Sequence, residues 1–352
     1  MLPPPWLVRT ARSAWHWQWL QLMGGLGPAD AQGRYRRPAA AFSETADLPD
    51  DAAEADAHVL IVGRSCPWAH RAWLVWALRR LEDTITLAVV EPDPEAGRWR
   101  FPEPFEGCAT LAELYGRSGA AAGSRATVPL LYAPRSRQVV VGESARLIEL
   151  LNRWPSRSGL DLDPPGQRQA TASWRHRLQG SVNDGVYRCG FARSQAAYDA
   201  AEADLFATLE AADGQLAASA ASTQVSAGGA SWLSGPQPSL ADVQLFPTLI
   251  RLESVYAPLF GVSRLPLWQL PALWAWRARF HQLQGVAETC WPDAWRQDYF
   301  GALFPLHPSG IVPAGPPLAT LVGSCPRPRS DAGQDTGDNP PGHVRPLHDH
   351  CS

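Results

Sequence analysis

The 352-residue sequence contains no lysine, so arginine supplies all 31 of its basic side chains. Together with 34 acidic residues they leave a net charge of −3, which argues against a nucleic-acid partner because such proteins usually carry an excess of basic charge. No apolar run approaches the ~18 residues of a membrane span, so none is expected. The six cysteines have no short spacings, so neither a zinc module nor a disulfide framework is indicated, and a reducing compartment is expected.

Cys66 lies where a predicted strand ends and a predicted helix begins. The apolar run at 58–62 is typical of a strand, and the amphipathic stretch at 68–78 predicts a helix with Pro67 at its first position. A thiol at a helix N-terminus faces unpaired backbone N–H groups and the positive end of the helix dipole, which both favour the thiolate. Position 69 is Ala69 rather than a second cysteine, so an outside thiol must resolve any mixed disulfide on Cys66.

Two other interpretations of Cys66 remain open at this point. The residue could be a buried small hydrophobic side chain, which is the common fate of a free cysteine. It could also be a zinc ligand shared with His70, one helical turn away. A zinc site needs three or four ligands and no others cluster nearby, so we prefer the reactive thiol and expect no metal.

The order of predicted elements favours an α/β domain in the first half of the chain. The elements after the Cys66 helix are a strand at 84–90, a Pro- and Gly-rich insertion with one short helix at 92–124, a hairpin at 127–142 and a helix from 143 to 152. This order is typical of a thioredoxin-like domain, a four-stranded mixed sheet with flanking helices, which we assign to residues 56–153. Residues 1–55 precede it as an N-terminal helix and a polar arm.

The second half of the chain is predicted to be helical. Residues 154–169 are a linker by their Pro, Ser and Gly content, and residues 170–316 show the periodicity of an all-α domain. Residues 317–352 lose apolar content, which is typical of a disordered tail. We expect the Trp-rich start of the chain, residues 1–29, to form a helix that packs on the body, with a transit peptide as the alternative.

Short motifs spread along the chain carry a family resemblance. They include Ser65-Cys-Pro-Trp-Ala-His-Arg71, Gly97-Arg-Trp99, Val128-Pro129, Glu143-Ser144, Asn183-Asp-Gly-Val-Tyr-Arg188, Arg251-Leu-Glu-Ser-Val-Tyr256 and Asp298-Tyr-Phe300. Over roughly residues 20–316 the chain resembles the glutathionyl-hydroquinone reductases, the Xi class of cysteine-type glutathione transferases. The resemblance implies the glutathione transferase architecture, glutathione as co-substrate and a homodimer. The reducing compartment that the cysteines indicate predicts a cytoplasmic protein, or one of an organellar stroma if the N-terminus is a transit peptide.

The resemblance also implies a role for each site residue. Cys66 is the nucleophile, and tyrosines contact the quinol from the helical domain. The tyrosines are Tyr187, Tyr256 and Tyr299, and the glutathione-binding residues are Trp99, Val128, Pro129, Glu143 and Ser144. In the implied reaction Cys66 attacks the sulfur of a glutathionyl-hydroquinone, the hydroquinone leaves, and a second glutathione releases oxidised glutathione.

Structural and functional alternatives accompany these assignments. Pro129 could be an ordinary trans proline where the family has a cis-proline turn, Ser144 could only cap a helix, and Trp99 and the tyrosines could be core residues. An omega-like thioltransferase or dehydroascorbate reductase would use the same cysteine on another substrate. A non-catalytic binding protein with this fold is the remaining alternative, because fold alone does not fix function.

Overall fold

An N-terminal helix, an α/β domain and a helical domain follow one another along the chain. The computed structural model describes residues 3–43, 58–93, 98–156, 158–221, 231–303 and 305–326. The first part contains α1 (Pro5–Leu26), β1 (His58–Gly63), α2 (Pro67–Leu78), β2 (Ile85–Asp93), β3 (Arg98–Phe105), β4 (Cys108–Thr110), α3 (Leu111–Arg117), β5 (Leu130–Ala133), β6 (Gln138–Val141) and α4 (Ser144–Arg153).

The regular elements among the described residues of the second part are all helices, joined by loops. Its α-helices are α5 (Arg168–Leu178), α6 (Gly185–Gly190), α7 (Gln195–Ala221), α8 (Leu240–Leu249), α9 (Ala257–Phe260), α10 (Pro271–His281), α11 (Pro292–Ala302) and α12 (Leu318–Leu321). Two π-helical segments, Gln179–Asn183 and Leu252–Tyr256, and two 3₁₀ turns, Leu267–Gln269 and Ala287–Thr289, connect them. No helix among the described residues is long and apolar enough to cross a membrane.

A mixed sheet forms the centre of the α/β domain. Its strand order is β4-β3-β2-β1-β5-β6, in which β1 and β2 run parallel and every other neighbouring pair is antiparallel. Leu60, Ile61 and Val62 of β1 are fully buried, as expected for a central strand covered on both faces. The predicted thioredoxin-like architecture is confirmed, with six strands where the sequence predicted four.

The two additional strands come from the segment that the sequence marked as an insertion. Pro102 and Pro104 lie in β3, where the pairing register with β4 shifts between Arg100 and Phe105. A proline lacks a backbone N–H and is therefore confined to edges and irregular positions of a sheet, and a register shift provides such a position. Because of these prolines the sequence did not predict a strand here, so the predicted strand count was too low. The short helix predicted in the same segment is α3.

A buried arginine joins the two domains. Arg251 is fully buried, and its guanidinium donates to Nδ1 of His70 at 2.9 Å and to the carbonyl of Arg64 at 3.4 Å. It also lies 4.1 Å from the ring centroid of Trp295, whose Nε1 donates to the same Arg64 carbonyl at 3.0 Å. The loop that precedes Cys66 is therefore held in place by the helical domain.

The two ends of the described chain differ from their predictions. Helix α1 is present, but residues 3–18 are exposed and only its last turns pack on the body, with Met23 buried. Near the other end, Leu321 is buried and Nε1 of Trp274 donates to the carbonyl of Gly323 at 2.9 Å. The prediction of a disordered tail is therefore wrong for residues 317–326. Residues 327–352 and the predicted domain boundary at 56 lie outside the described residues.

Candidate active site

A cavity of about 250 Å³ lies between the two domains, and Cys66 is in its wall. Three parts of the chain contribute to the lining: the α/β domain, the helical domain and an N-terminal arm that we define as residues 27–43. The lining includes Ser65, Cys66, Trp68, Trp99, Val128, Pro129 and Ser144 from the first, Tyr187, Phe191, Asp298 and Tyr299 from the second, and Tyr35, Arg37 and Ala40 from the arm. Most of the residues predicted for the site are thus brought together.

Cys66 occupies the N-cap position of α2, directly before Pro67 at the first helical position. The residue is partly exposed, and its thiol donates a hydrogen bond to the carbonyl oxygen of Val128 at 3.4 Å. The Val128–Pro129 peptide bond is cis. The strand, turn and helix expected around the cysteine are therefore all present.

The pKa of the Cys66 thiol is raised, whereas the sequence predicted that it would be lowered. Burial raises the pKa of Cys66. The backbone N–H groups of Ala69 and Trp68, and the charges of Arg251 and Arg37, act in the opposite direction without outweighing it. The helix N-terminus does favour the thiolate as predicted, but the removal of water from the sulfur has the larger effect.

His70 is a structural residue of the domain interface. Its Nδ1 accepts a hydrogen bond from Arg251, and its Nε2 lies 2.8 Å from Oγ1 of Thr289. Burial lowers its pKa well below the usual value, so the ring is neutral. Because both ring nitrogens are engaged, His70 does not share a zinc ion with Cys66. No group of three or more His, Cys, Asp or Glu side chains in the described part of the chain is arranged to hold a metal ion.

Three tyrosines from the helical domain meet beside the cavity. The hydroxyl of Tyr299 lies 2.5 Å from that of Tyr187 and 3.4 Å from that of Tyr256. Tyr187 and Tyr299 line the cavity, whereas Tyr256 is fully buried and is not part of the lining. Burial raises the pKa of all three, so each hydroxyl keeps its proton at neutral pH and can donate it or a hydrogen bond.

Trp99 reaches the cavity from β3 because the residue beneath its ring is glycine. A Cβ placed on Gly63 would lie 2.5 Å from Cζ3 of Trp99, far inside normal contact distance. The absence of a side chain at the end of β1 therefore lets the indole lie against the strand. Trp99 lines the cavity within reach of a ligand that also contacts Val128.

Glu143 and Ser144 have different surroundings. Glu143 is the N-cap of α4, and its Oε2 accepts hydrogen bonds from the backbone N–H of Ala145 at 2.7 Å and of Arg146 at 3.1 Å. It is not in the cavity lining, whereas Ser144 is. The Oγ of Ser144 accepts from Nη1 of Arg71 at 3.4 Å. The residue that caps the helix is therefore Glu143 and not Ser144.

The N-terminal arm contributes to the cavity, which no pattern in the sequence predicted. The guanidinium of Arg37 lies 3.5 Å from the ring centroid of Trp68 and forms an ion pair with Asp184 at 3.4 Å. Tyr35 packs edge-on against Phe191, with ring centroids 5.2 Å apart. Asp184 and Phe191 lie more than 100 residues from their partners in the sequence, so composition alone showed only a polar segment.

A half-buried carboxylate, Asp298, was not predicted from the sequence either. Oδ2 of Asp298 accepts a hydrogen bond from Oγ of Ser65, the residue before the cysteine. Burial raises the pKa of Asp298, and the bond from Ser65 opposes that shift. Its place in the sequence, next to the predicted site residue Tyr299, was a signal that could have identified it.

Comparisons with known proteins agree with this architecture. Residues 65–154 match the model of the glutathione S-transferase N-terminal domain, and residues 195–279 match that of the C-terminal domain. The chain is 31% identical to glutathionyl-hydroquinone reductase YqjG of Escherichia coli, over 81% of this chain and 89% of that protein.

Two solved structures support the same relationship. The glutathione S-transferase Xi of Phanerochaete chrysosporium superposes with a TM-score of 0.73 at 28% identity, covering 82% of this chain and 94% of that one. The glutathione-bound structure of YqjG from E. coli K-12 gives 0.67 at 28% identity, covering 84% and 94%.

A thioredoxin-like domain, a helical domain and a thiol in the cleft between them define the class. The chain belongs to the glutathione transferase family. Among its relatives are a curated glutathionyl-hydroquinone reductase and a structure of the Xi class, so the resemblance inferred from the motifs is confirmed. Glutathione is the co-substrate of this family.

Proposed function

We propose that the protein reduces glutathionyl-hydroquinones to hydroquinones through a mixed disulfide between Cys66 and glutathione. One observation supports this above all: the thiol of Cys66 and the hydroxyls of Tyr187 and Tyr299 line one cavity, although they come from different domains. A nucleophilic sulfur and proton-donating phenols are the two groups that cleavage of an aromatic thioether requires. The names of the relatives agree with that chemistry.

The glutathionyl part of the substrate would lie along the α/β domain. The backbone of Val128, before the cis proline, offers strand-like pairing to the peptide, and Ser144 with the N-terminus of α4 offers donors to its γ-glutamyl carboxylate. The indole of Trp99 would pack against the bound peptide. The side chain of Glu143 already accepts two backbone hydrogen bonds, so its role toward the ligand ammonium would be electrostatic.

The reaction would proceed in two transfers at sulfur. In the first, the Cys66 thiol releases its proton to solvent and the resulting thiolate attacks the glutathionyl sulfur; an S–S bond forms, and the bond between that sulfur and the aromatic carbon breaks. The aromatic carbon takes a proton as the hydroquinone leaves, and the hydroxyls of Tyr187 and Tyr299 supply the proton and hold the ring oxygens. Tyr256 would orient Tyr299 rather than touch the substrate.

The second transfer needs another glutathione. Cys66 is the one cysteine among the described residues that line the cavity, and Ala69 stands where a resolving thiol would be. The sulfur of the second glutathione would therefore attack the mixed disulfide, giving oxidised glutathione and free Cys66.

A mass-spectrometric experiment tests the proposal. Exposure of the protein to a glutathionyl-hydroquinone should produce one glutathione adduct, on the peptide that contains Cys66, with stoichiometric release of hydroquinone. Cys66→Ser should lose both, whereas Cys325→Ser, which alters another partly exposed cysteine outside the cavity, should retain them. Equal losses in the two variants would refute the assignment. Faster turnover of a small glutathionylated disulfide than of the quinol would assign a thioltransferase instead.

The quaternary structure follows only from the resemblance, and the location from the cysteine pattern. We propose a homodimer in the cytoplasm, or in an organellar stroma if residues 1–29 are removed as a transit peptide. Light scattering on the purified full chain would give the mass of the assembly, and a monomer at micromolar concentration would contradict the first part.

A further inference from the structure

Asp298 carries the one carboxylate among the described residues that line the cavity. It lies on α11 beside Tyr299, and Ser65 donates a hydrogen bond to its Oδ2. Ser65 is bonded directly to Cys66, so the carboxylate and the thiol belong to the same region of the cavity wall. Neither the predicted site nor the proposed mechanism gives this acid a role.

The second transfer proposed above needs a group that accepts a proton. The thiolate is the attacking species in thiol–disulfide exchange, and a free thiol with a pKa of about 8.5 is only about 3% ionised at pH 7. Tyr187 and Tyr299 cannot serve as bases, because burial raises their pKa and keeps them protonated. The arginines in the lining are cations, so a carboxylate is the only side chain suited to the task.

We infer that Asp298 is the general base of the cavity and takes the thiol proton of the second glutathione as that sulfur attacks the mixed disulfide. The new S–S bond forms between the two glutathione sulfurs. The bond between Cys66 and the first glutathione breaks, its electron pair goes to the Cys66 sulfur, and the proton passes from Asp298 to that sulfur. Glutathione is the only reductant required, and the inference rests on the proposed function.

The surroundings of Asp298 suit a base of moderate strength. The titratable or charged side chains that share the cavity with it are Cys66, Tyr35, Tyr187, Tyr299, Arg37 and Arg125. Of the nearby cations, Arg64 lies over the ring of Trp291 at 4.7 Å, and Arg296 on the same helix pairs with Asp293. Burial raises the pKa of Asp298 and brings it closer to that of a thiol, which makes the carboxylate a better proton acceptor.

The test isolates the second transfer. The full-length protein is first converted to its Cys66–glutathione disulfide and then mixed with glutathione between pH 5.5 and 9.5, and the loss of the adduct is followed by quenched-flow mass spectrometry. At pH 7 we expect Asp298→Asn to react at least 10-fold more slowly than wild type. The difference cannot exceed ~30-fold, because that is the gain from ionising the glutathione thiol completely at this pH. The deficit should vanish above about pH 9, where glutathione ionises without help. Asp293→Asn, an exposed acid one turn away, should match wild type.

A second variant separates a base from a structural contact. Ser65→Ala keeps the carboxylate but removes the hydrogen bond that lowers its pKa, so the acidic limb of the rate profile should move to higher pH. If Asp298→Asn were slower than wild type by the same factor at every pH, Asp298 would only hold α11 against Ser65, the residue before Cys66. That result would overturn the inference. If the acidic limb of the rate profile of Ser65→Ala stayed at the wild-type pH, the inference would also be overturned. This second result decides the question even if Asp298→Asn failed to fold. If wild type forms no adduct at all, the proposed function itself has failed.

Discussion

Substitution of Gly63 by alanine should displace Trp99 from the cavity and weaken glutathione binding. The new Cβ would lie 2.5 Å from Cζ3 and 2.6 Å from Cη2 of the indole. Carbon atoms in contact are normally 3.5–4.0 Å apart, so the ring has to retreat by about 1 Å. Overpacking of this kind typically costs ~1–3 kcal/mol, which corresponds to about 5- to 150-fold in affinity if the strain is released by moving the ring.

Isothermal titration of the variant with glutathione measures the effect directly. We expect the dissociation constant of Gly63→Ala to rise at least fivefold, at the lower bound of that range. Gly116→Ala is the matched control, because a Cβ there meets nothing within 4 Å and the residue is exposed in α3. It should leave the affinity unchanged and stabilise the helix by up to ~1 kcal/mol.

A double-mutant cycle identifies the cause of any loss. In a Trp99→Ala background no indole remains to be displaced, so Gly63→Ala should have no further effect on the affinity. Wild-type affinity in Gly63→Ala, or losses that simply add in the double variant, would refute the reasoning that the glycine acts through the indole.

Two further predictions concern the thiol and the tyrosines. Because burial raises the pKa of Cys66, its alkylation by iodoacetamide should be slow at pH 7 and keep rising beyond pH 9, and a rate that levels off below pH 7 would contradict this. Tyr299→Phe removes the hydroxyl that meets Tyr187 at 2.5 Å, so hydroquinone release in the first transfer should fall by about 10²-fold while the glutathione dissociation constant stays within twofold. Loss of glutathione affinity instead would make Tyr299 a ligand for the peptide.

Local patterns predicted the surroundings of Cys66 because strand, turn and helix there are adjacent in sequence. The apolar run at 58–62 and the proline at the first helical position were enough to place the thiol at the N-terminus of α2. The same local reasoning failed at β3, because Pro102 and Pro104 normally argue against a strand and the register shift that accommodates them depends on β4.

Residues of the site could be predicted from the sequence only where they belong to a recognisable motif. Cys66 and Ser144 line the cavity as expected, but the position of Arg37 depends on contacts with Trp68 and Asp184, which no local pattern encodes. The sign of the shift in the Cys66 pKa likewise depends on the burial of the sulfur in the folded chain, which no local pattern encodes.

The buried guanidinium of Arg251 limits how the cleft can open. Within the described part of the chain it forms no ion pair, and its charge is balanced by the ring of Trp295, by His70 and by backbone carbonyls from both domains. Swinging the domains apart would strip it of those partners while part of it stayed away from water, a penalty of several kcal/mol. Substrates should therefore reach the sulfur through the existing cavity without separation of the domains, which should move together as one rigid body.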